Sequence, residues 1–386
     1  MASRLGRQGR VTLFLAGDVM CGRGIDQILP NPCDPRLHES SLTSARQYLE
    51  LAEDAHGPIP SPVDFDYVWG ESLEELALRR PDARIVNLET AVTRSDRAAR
   101  KGINYRMSPE NVPVLSAARI DCCALANNHV LDWGDRGLIE TLDTLRTAGI
   151  KTVGAGRNHA DAGAPAILPL AERGRVLVFA FGSPGSGIPA EWRATPERPG
   201  INLLPDLSLP SAMRVAEQVR AARRAGDICV ASIHWGPNWG HEVRREQVAF
   251  AHALVDQAGI DLVHGHSSHH AKSIEVYKGK LILYGCGDLL NDYEGIEGQE
   301  AFRSDLALMY FATVDAACGT LVELAMVALQ IRNFRLSRAS AADATWLCES
   351  LSKHCERFGT RVGLGPGNVL ILADGSRTQP DEPRGA

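Results

Sequence analysis

Five apolar runs, at residues 11–16, 83–86, 120–126, 228–233 and 260–263, each give way to a short polar motif. Continuous apolar runs of this length are the signature of strands buried on both faces of a sheet, as parallel strands are. Between them the apolar spacing becomes helical. It predicts helices over 42–55, 67–79, 109–118, 138–148, 212–225 and 245–258. Ser108-Pro109 supplies a helix start and Gly149 a helix stop. Further strands are expected over 167–170 and 176–181, and a hairpin over 273–276 and 280–284 turns through Lys278-Gly279. Strands over 306–314 and 321–329 precede a last helix near 341–357. Alternating strand and helix early, with antiparallel hairpins later, predict an α/β protein: a mixed sheet or two packed sheets flanked by helices.

Two Gly-rich segments, 182–205 and 286–303, are too long for plain connectors and read as lids or binding loops. No repeat or linker divides the motifs. Residues 1–372 are expected to form one domain, and 373–386 a disordered tail.

Composition narrows the function classes. The net charge of −6 comes without a Lys/Arg run able to track phosphates, which argues against nucleic acid as a partner. The basic residues 1–10 precede an apolar run that stops at Asp18. That is too short for a signal peptide or for the ~20 residues of a membrane span, so the reading is a cytoplasmic protein. Nine Cys without a C-x-x-C pair read as reduced, mostly buried thiols, and speak against a zinc–thiolate site.

The motifs carry the chemistry. They are Gly17-Asp18, Asn87-Leu88-Glu89, Asn127-Asn128-His129, His234-Trp235-Gly236 and Gly265-His266-Ser267-Ser268-His269. Open α/β sheets bind ligands beyond the carboxyl ends of their strands, so five strand ends would gather these side chains in one crevice. Bland readings exist for each piece. Gly-Asp is a common turn, Glu89 could cap the next segment, and a lone His such as His234 is often a satisfied core residue. Two amides and an imidazole in a row are harder to bury without partners. So are His264, His266, His269 and His270 within seven residues, since imidazole is the commonest metal-binding side chain.

In this order the motifs resemble the CapA (poly-γ-glutamate capsule biosynthesis) family, of the calcineurin-like metallophosphatase superfamily. The stretch 265–288 is especially similar, and the resemblance covers roughly 11–329. It implies the calcineurin-like metallophosphatase fold, with two packed mixed sheets flanked by helices, and a two-metal site. Asp18 would match the first aspartate, Glu89 the bridging carboxylate and Asn128 the asparagine ligand. His129 would be the general acid, His234 and His266 ligands of the second metal, and His269 a ligand of the first. Two cations ~4 Å apart need a shared carboxylate and activate a water between them. The superfamily's first motif is Asp-x-His, whereas here Met20 stands in the histidine's place, and a thioether is a poor ligand for hard cations. The expected cofactors are therefore divalent ions (Mn, Zn, Fe or Mg), two, one or none.

Three functions follow from the resemblance. One is metal-activated hydrolysis of a peptide, polyglutamate-like or phosphate-ester substrate. Another is metal-independent epimerisation at a peptide Cα, with Asp18 or Glu89 set against His266, His129 or His234 as paired bases, and with Trp133, Trp235 or Trp239 clasping a side chain. The third is a non-catalytic part in polymer biosynthesis. The expected partner is a peptide or a polyanionic small molecule.

Overall fold

The computed structural model describes residues 9–170 and 174–374. Its frame is a pair of sheets. The ten-stranded sheet runs Thr360–Leu364, Val369–Asp374, Leu321–Arg332, Leu306–Asp315, Arg10–Val19, Ala83–Leu88, Cys122–Ala124, Lys151–Val153. Asp288–Leu290 adds to it against Arg10–Val19, and Arg335–Arg338 against Leu321–Arg332. The six-stranded sheet runs Ile274–Tyr277, Lys280–Leu283, Leu262–His266, Ile228–His234, Arg175–Gly182, Ala166–Pro169. Both are mixed. Arg10–Val19 is parallel to Ala83–Leu88 but antiparallel to Leu306–Asp315, and the hairpin expected over 273–276 and 280–284 forms at Ile274–Tyr277 and Lys280–Leu283 as the antiparallel edge of the second sheet.

The two-residue alternation of strand side chains explains how the sheets stack. Val11, Leu13 and Leu15 of the first sheet share one core with Val176, Val178, Ile228, Val230 and Leu262 of the second. The intervening residues Phe14 and Ala16 face a separate core with Ile25, Trp69 and Leu138 from the helical side. Phe179, Phe181, Ala231 and Ile233 face a third, beneath Leu209–Ala222 and Arg245–Ala258. Each strand of the inner pair is thus apolar on both faces, as its unbroken sequence indicates. The result is a layered α/β/β/α arrangement.

Several expected boundaries shift, for local reasons. The 67–79 helix is a turn at Tyr67–Trp69 and a helix at Ser72–Arg79, interrupted by Gly70 at φ 43°. The 109–118 helix is likewise a turn at Pro109–Asn111 and a helix at Pro113–Ala117, because Pro113 opens a new first turn. The 42–55 helix begins only at Arg46. The 120–126 strand shortens to Cys122–Ala124. The last strand runs past the expected tail boundary, with Ala373 paired to Arg361; residues 375–386 of that tail lie outside the described residues. All nine Cys are free, seven of them buried. Among the described residues no helix is long and apolar enough to cross a membrane.

Candidate metal centre

Three of the motifs end strands of the first sheet and two end strands of the second, so both sheets contribute to one site. Asp18 lies at the centre, in register with Asn87 on one side and Asp288 on the other. Gly17 makes this approach feasible. A Cβ there would come within 1.8 Å of the Gly287 carbonyl, which accepts from the Asp18 backbone N–H at 3.0 Å. Asn87 Nδ2 donates to Asp18 Oδ1 at 2.7 Å, and Asn87 Oδ1 accepts from Asn127 Nδ2 at 3.1 Å. Asn127 Oδ1 in turn accepts from the backbone N–H of His129. Asn87 and Asn127 are therefore struts that set three strand ends in register.

On the second sheet, alternation turns Ser232, His234, His264 and His266 toward the first. His264 Nε2 donates to the Ala16 carbonyl at 2.8 Å, which leaves Nδ1 to accept from Ser232 Oγ at 3.1 Å. The Ser232 oxygen then accepts from His266 Nε2 at 2.9 Å. This chain, begun at a backbone carbonyl, fixes the His266 tautomer with its proton on Nε2 and makes Nδ1 the acceptor nitrogen. That nitrogen lies 4.0 Å from Asp18 Oδ1 and 2.9 Å from His234 Nδ1. His234 Nε2 lies 2.9 Å from Asn128 Oδ1 and 3.8 Å from Glu89 Oε1. Burial pushes the pKa values of His234 and His266 well below the usual imidazole range, so both are neutral, the form that binds metal.

His129 donates from Nδ1 to Asp132 Oδ2 at 2.6 Å and is stacked on Tyr105, which directs Nε2 toward Glu89 Oε1 at 3.8 Å. Burial, then Lys101, holds its pKa well below the ordinary value. Lys101 also pairs with Asp132 at 2.8 Å and donates to the Asn128 carbonyl. On the far side His269 Nδ1 meets Asp288 Oδ1 at 2.9 Å, and Asn291 Nδ2 donates to Asp288 Oδ2 at 2.9 Å.

All seven residues expected from the sequence thus converge: Asp18, Glu89, Asn128, His129, His234, His266 and His269. Two groups of ligand atoms, each within 4.8 Å, are Asp18/His234/His266 and Asp18/His269/Asp288. Asp288 was not anticipated. Its only cue was the glycine-flanked end of the 265–288 stretch, and its partner Asp18 lies 270 positions earlier. The carboxylate common to both groups of ligand atoms is Asp18, whereas the resemblance gives the bridging place to Glu89. Of the three tryptophans, Trp133 and Trp235 are buried and donate to the Tyr105 and Tyr284 carbonyls. Only Trp239 reaches the site, against His269.

The donor set fits divalent cations on a structural observation. Asp18 Oδ2 and Glu89 Oε2 are buried without a hydrogen-bond partner beyond each other. Burial, then Asp288, raises the Asp18 carboxyl to about 6 against a lowering by its hydrogen bond with Glu89, and burial, then Asp18, puts Glu89 well above the carboxylate range, so the two carboxyls share a proton when no cation is bound. Buried carboxylates with unspent lone pairs beside neutral imidazoles are what a bound cation satisfies. A backbone strain marks the same place: Ser267, between His266 and His269, has φ 97° and donates to the Gly236 carbonyl at 3.0 Å.

A two-sheet α/β sandwich with carboxylates, amides and imidazoles at converging strand ends is the metallophosphatase-like fold. Within that class the chain belongs to the family described as "Bacterial capsule synthesis protein PGA_cap", which it matches over residues 12–293. It is 48% identical over 362 residues to a "Probable polyglutamine synthesis accessory protein" of Mycobacterium tuberculosis, covering 93% of this chain and 95% of that one. It is 30% identical to the "Capsule biosynthesis protein CapA" of Bacillus anthracis, covering 73% of this chain and 60% of that one. Among solved structures it is similar to "GAP50 the anchor in the inner membrane complex of Plasmodium", at 8% identity and a TM-score of 0.35, covering 89% of this chain and 95% of that one.

Proposed function

We propose that this protein is a metal-dependent hydrolase of polymer biosynthesis, cleaving amide bonds of a glutamyl-type acidic chain. The observation that carries this is the pair of buried carboxyls Asp18 and Glu89, whose Oδ1 and Oε1 lie 4.0 and 3.8 Å from the His266 and His234 imidazoles while Oδ2 and Oε2 have no donor. Asp18, His234 and His266 would hold one divalent ion, with Asn128 and Glu89 beside it. Asp18, His269 and Asp288 would hold the other. Such ions, when bound, supply Lewis acidity and a nucleophilic water at neutral pH.

The chain's own groups do the rest. His129 is neutral, and its Nδ1–H is committed to Asp132, so its Nε2 lone pair is the proton acceptor that faces the site. It takes a proton from the attacking water and returns it to the leaving nitrogen, and Asp132 keeps the tautomer throughout. Lys101 holds Asp132 in place, and its loop exposes Arg97 and Arg100, cations suited to an acidic chain. The names of the relatives, capsule biosynthesis and polyglutamine synthesis accessory protein, favour a glutamyl polymer as substrate.

The test is turnover of glutamyl oligomers and of a simple phosphate ester by metal-loaded and chelated protein. Loss of cleavage on chelation supports the proposal. Chelator-resistant turnover with solvent deuterium entering a substrate Cα would make the protein an epimerase. Polymer binding without turnover would make it a non-catalytic accessory.

A further inference from the structure

Arg23 follows the Gly17-Asp18 strand end and occupies a place that an arginine does not take unaided. It opens the short helix Arg23–Ile28 in a left-handed conformation, φ 47°, with its side chain only 2% exposed. Strain and burial of that kind persist only where the surroundings over-determine them. Here they do. Asp292 accepts from Arg23 Nε at 3.1 Å, from Nη2, and from the Gly24 backbone N–H at 2.9 Å. Nη1 donates to Glu39 at 3.1 Å and to the Tyr48 hydroxyl at 2.7 Å. One guanidinium thus joins the helix Arg46–His56 and the Gly-rich 286–303 segment to the turn beyond Asp18.

The flat face of the guanidinium is engaged as well. Its Cζ lies 4.4 Å from the centre of the Tyr105 ring, and the His129 imidazole is stacked on that ring at 3.9 Å, inclined by 22°. Planar groups so close to one ring centre have to take its two faces, so Tyr105 is a plate between Arg23 and His129. The hydrogen bond from His129 Nδ1 to Asp132 fixes one end of the imidazole but lets the ring swing about it. The plate removes that freedom and keeps Nε2 toward Glu89. Tyr105 lies in a loop, tied by its backbone N–H to Asp132 Oδ2 at 2.6 Å and by its hydroxyl to that of Tyr293 at 2.8 Å. Those ties hold its two ends, and Arg23 backs its face.

Resting on the proton-transfer role given to His129 above, we infer that Arg23 is a positioning residue of this site: through the Tyr105 ring it holds the His129 imidazole in its working orientation. It belongs to neither cluster of ligand atoms. Lysine is no substitute, because an ammonium lacks both the flat face that stacks and the fork that engages two carboxylates at once.

R23K keeps the charge that Glu39 and Asp292 require and removes the planar face. It should retain the metal content of wild type and its KM for glutamyl oligomers, and lose about 10- to 100-fold in kcat, the scale of a misplaced reacting group. In a Y105L background the same exchange should cost nothing further, since the plate through which Arg23 acts is gone. D292N loosens the fork without removing it; it should show a smaller loss of the same kind, and it serves if R23K does not fold. Proton NMR gives a reading independent of turnover. Stacked on Tyr105, the His129 ring protons should resonate upfield of a free imidazole's and move back toward it in R23K and D292N. Unchanged His129 shifts in the folded variants, or equal losses of kcat with and without the Tyr105 ring, would overturn the inference. Shifts that move as expected in a protein that cleaves no glutamyl chain would overturn the hydrolase reading and leave the positioning of His129 by Arg23 standing.

Discussion

Asp18 and Asp288 are direct neighbours across two parallel strands, and both carboxylates are buried. Without a cation this is a costly arrangement, and it has a measurable pH signature. Burial first, then Asp288, raises the Asp18 carboxyl from 3.8 to about 6. Below 3.8 the group is protonated in both folded and unfolded chains and costs nothing. Between 3.8 and about 6 the unfolded chain ionises while the folded one holds its proton, so stability falls as pH rises. D18N stays neutral throughout. Metal-free D18N should therefore melt higher than metal-free wild type above about 6, with the gap closing below 3.8. Added Zn2+ or Mn2+ should reverse the order, because only the wild type gains binding free energy. Thermal melts across that range, with and without metal, check both parts; a D18N melt that tracks the wild type at every pH would refute the argument.

The chain from the Ala16 carbonyl through His264 and Ser232 presets the His266 tautomer. Groups that orient metal-binding imidazoles in this way are typically worth about 10- to 100-fold in affinity. S232A should weaken metal binding by that order while leaving the fold intact, and S232T, which keeps the hydroxyl, should restore it. Nitrogen NMR shifts of His266 should show an unprotonated Nδ1 in wild type and a mixture of tautomers in S232A. Unchanged affinity in S232A would mean that the imidazole needs no such support.

Met20 supplies a second affinity test. Its thioether adjoins the Asp18/His269/Asp288 half through Tyr293, whose ring stands edge-on to His269 at 5.4 Å. M20H should tighten Zn2+ binding to the protein by about tenfold or raise its stoichiometry, since imidazole is the better donor for borderline ions. A titration showing neither change would remove this position from the coordination sphere.

The parts of the fold that were legible in the sequence are those where burial leaves no choice. Strands such as Ile228–His234 are covered on both sides, so their apolar runs are continuous, and the helix Arg245–Ala258 matches its expected span because Gly259 ends it in a left-handed turn. Edge and surface elements gave no such signal. Lys151–Val153, at the sheet edge, buries only Val153, and the Thr360–Leu364 strand alternates with exposed Arg361 and Gly363. The site divides in the same way. Residues at the ends of long buried strands announce themselves, whereas Asp288 belongs to a three-residue strand defined only by a partner far away in sequence. Met20 shows the reverse case, a position where resemblance raised a question that only the contact with Tyr293 answers.

On the proposed reading, His129 and Asp132 would separate proton transfer from metal holding. Neither residue belongs to the two clusters of ligand atoms, yet His129 Nε2 lies 3.8 Å from Glu89 at their edge. H129A should keep its full metal content and lose about 10²- to 10⁴-fold in the rate of glutamyl amide cleavage, the usual contribution of a positioned acid–base group. D132N keeps the shape of the hydrogen-bonding partner but removes the charge that fixes the Nδ1–H tautomer, so it should lose rate with little change in substrate affinity. Metal analysis alongside steady-state kinetics distinguishes the outcomes. If H129A lost metal in proportion to activity, His129 would belong among the ligands and proton transfer would have to be assigned elsewhere.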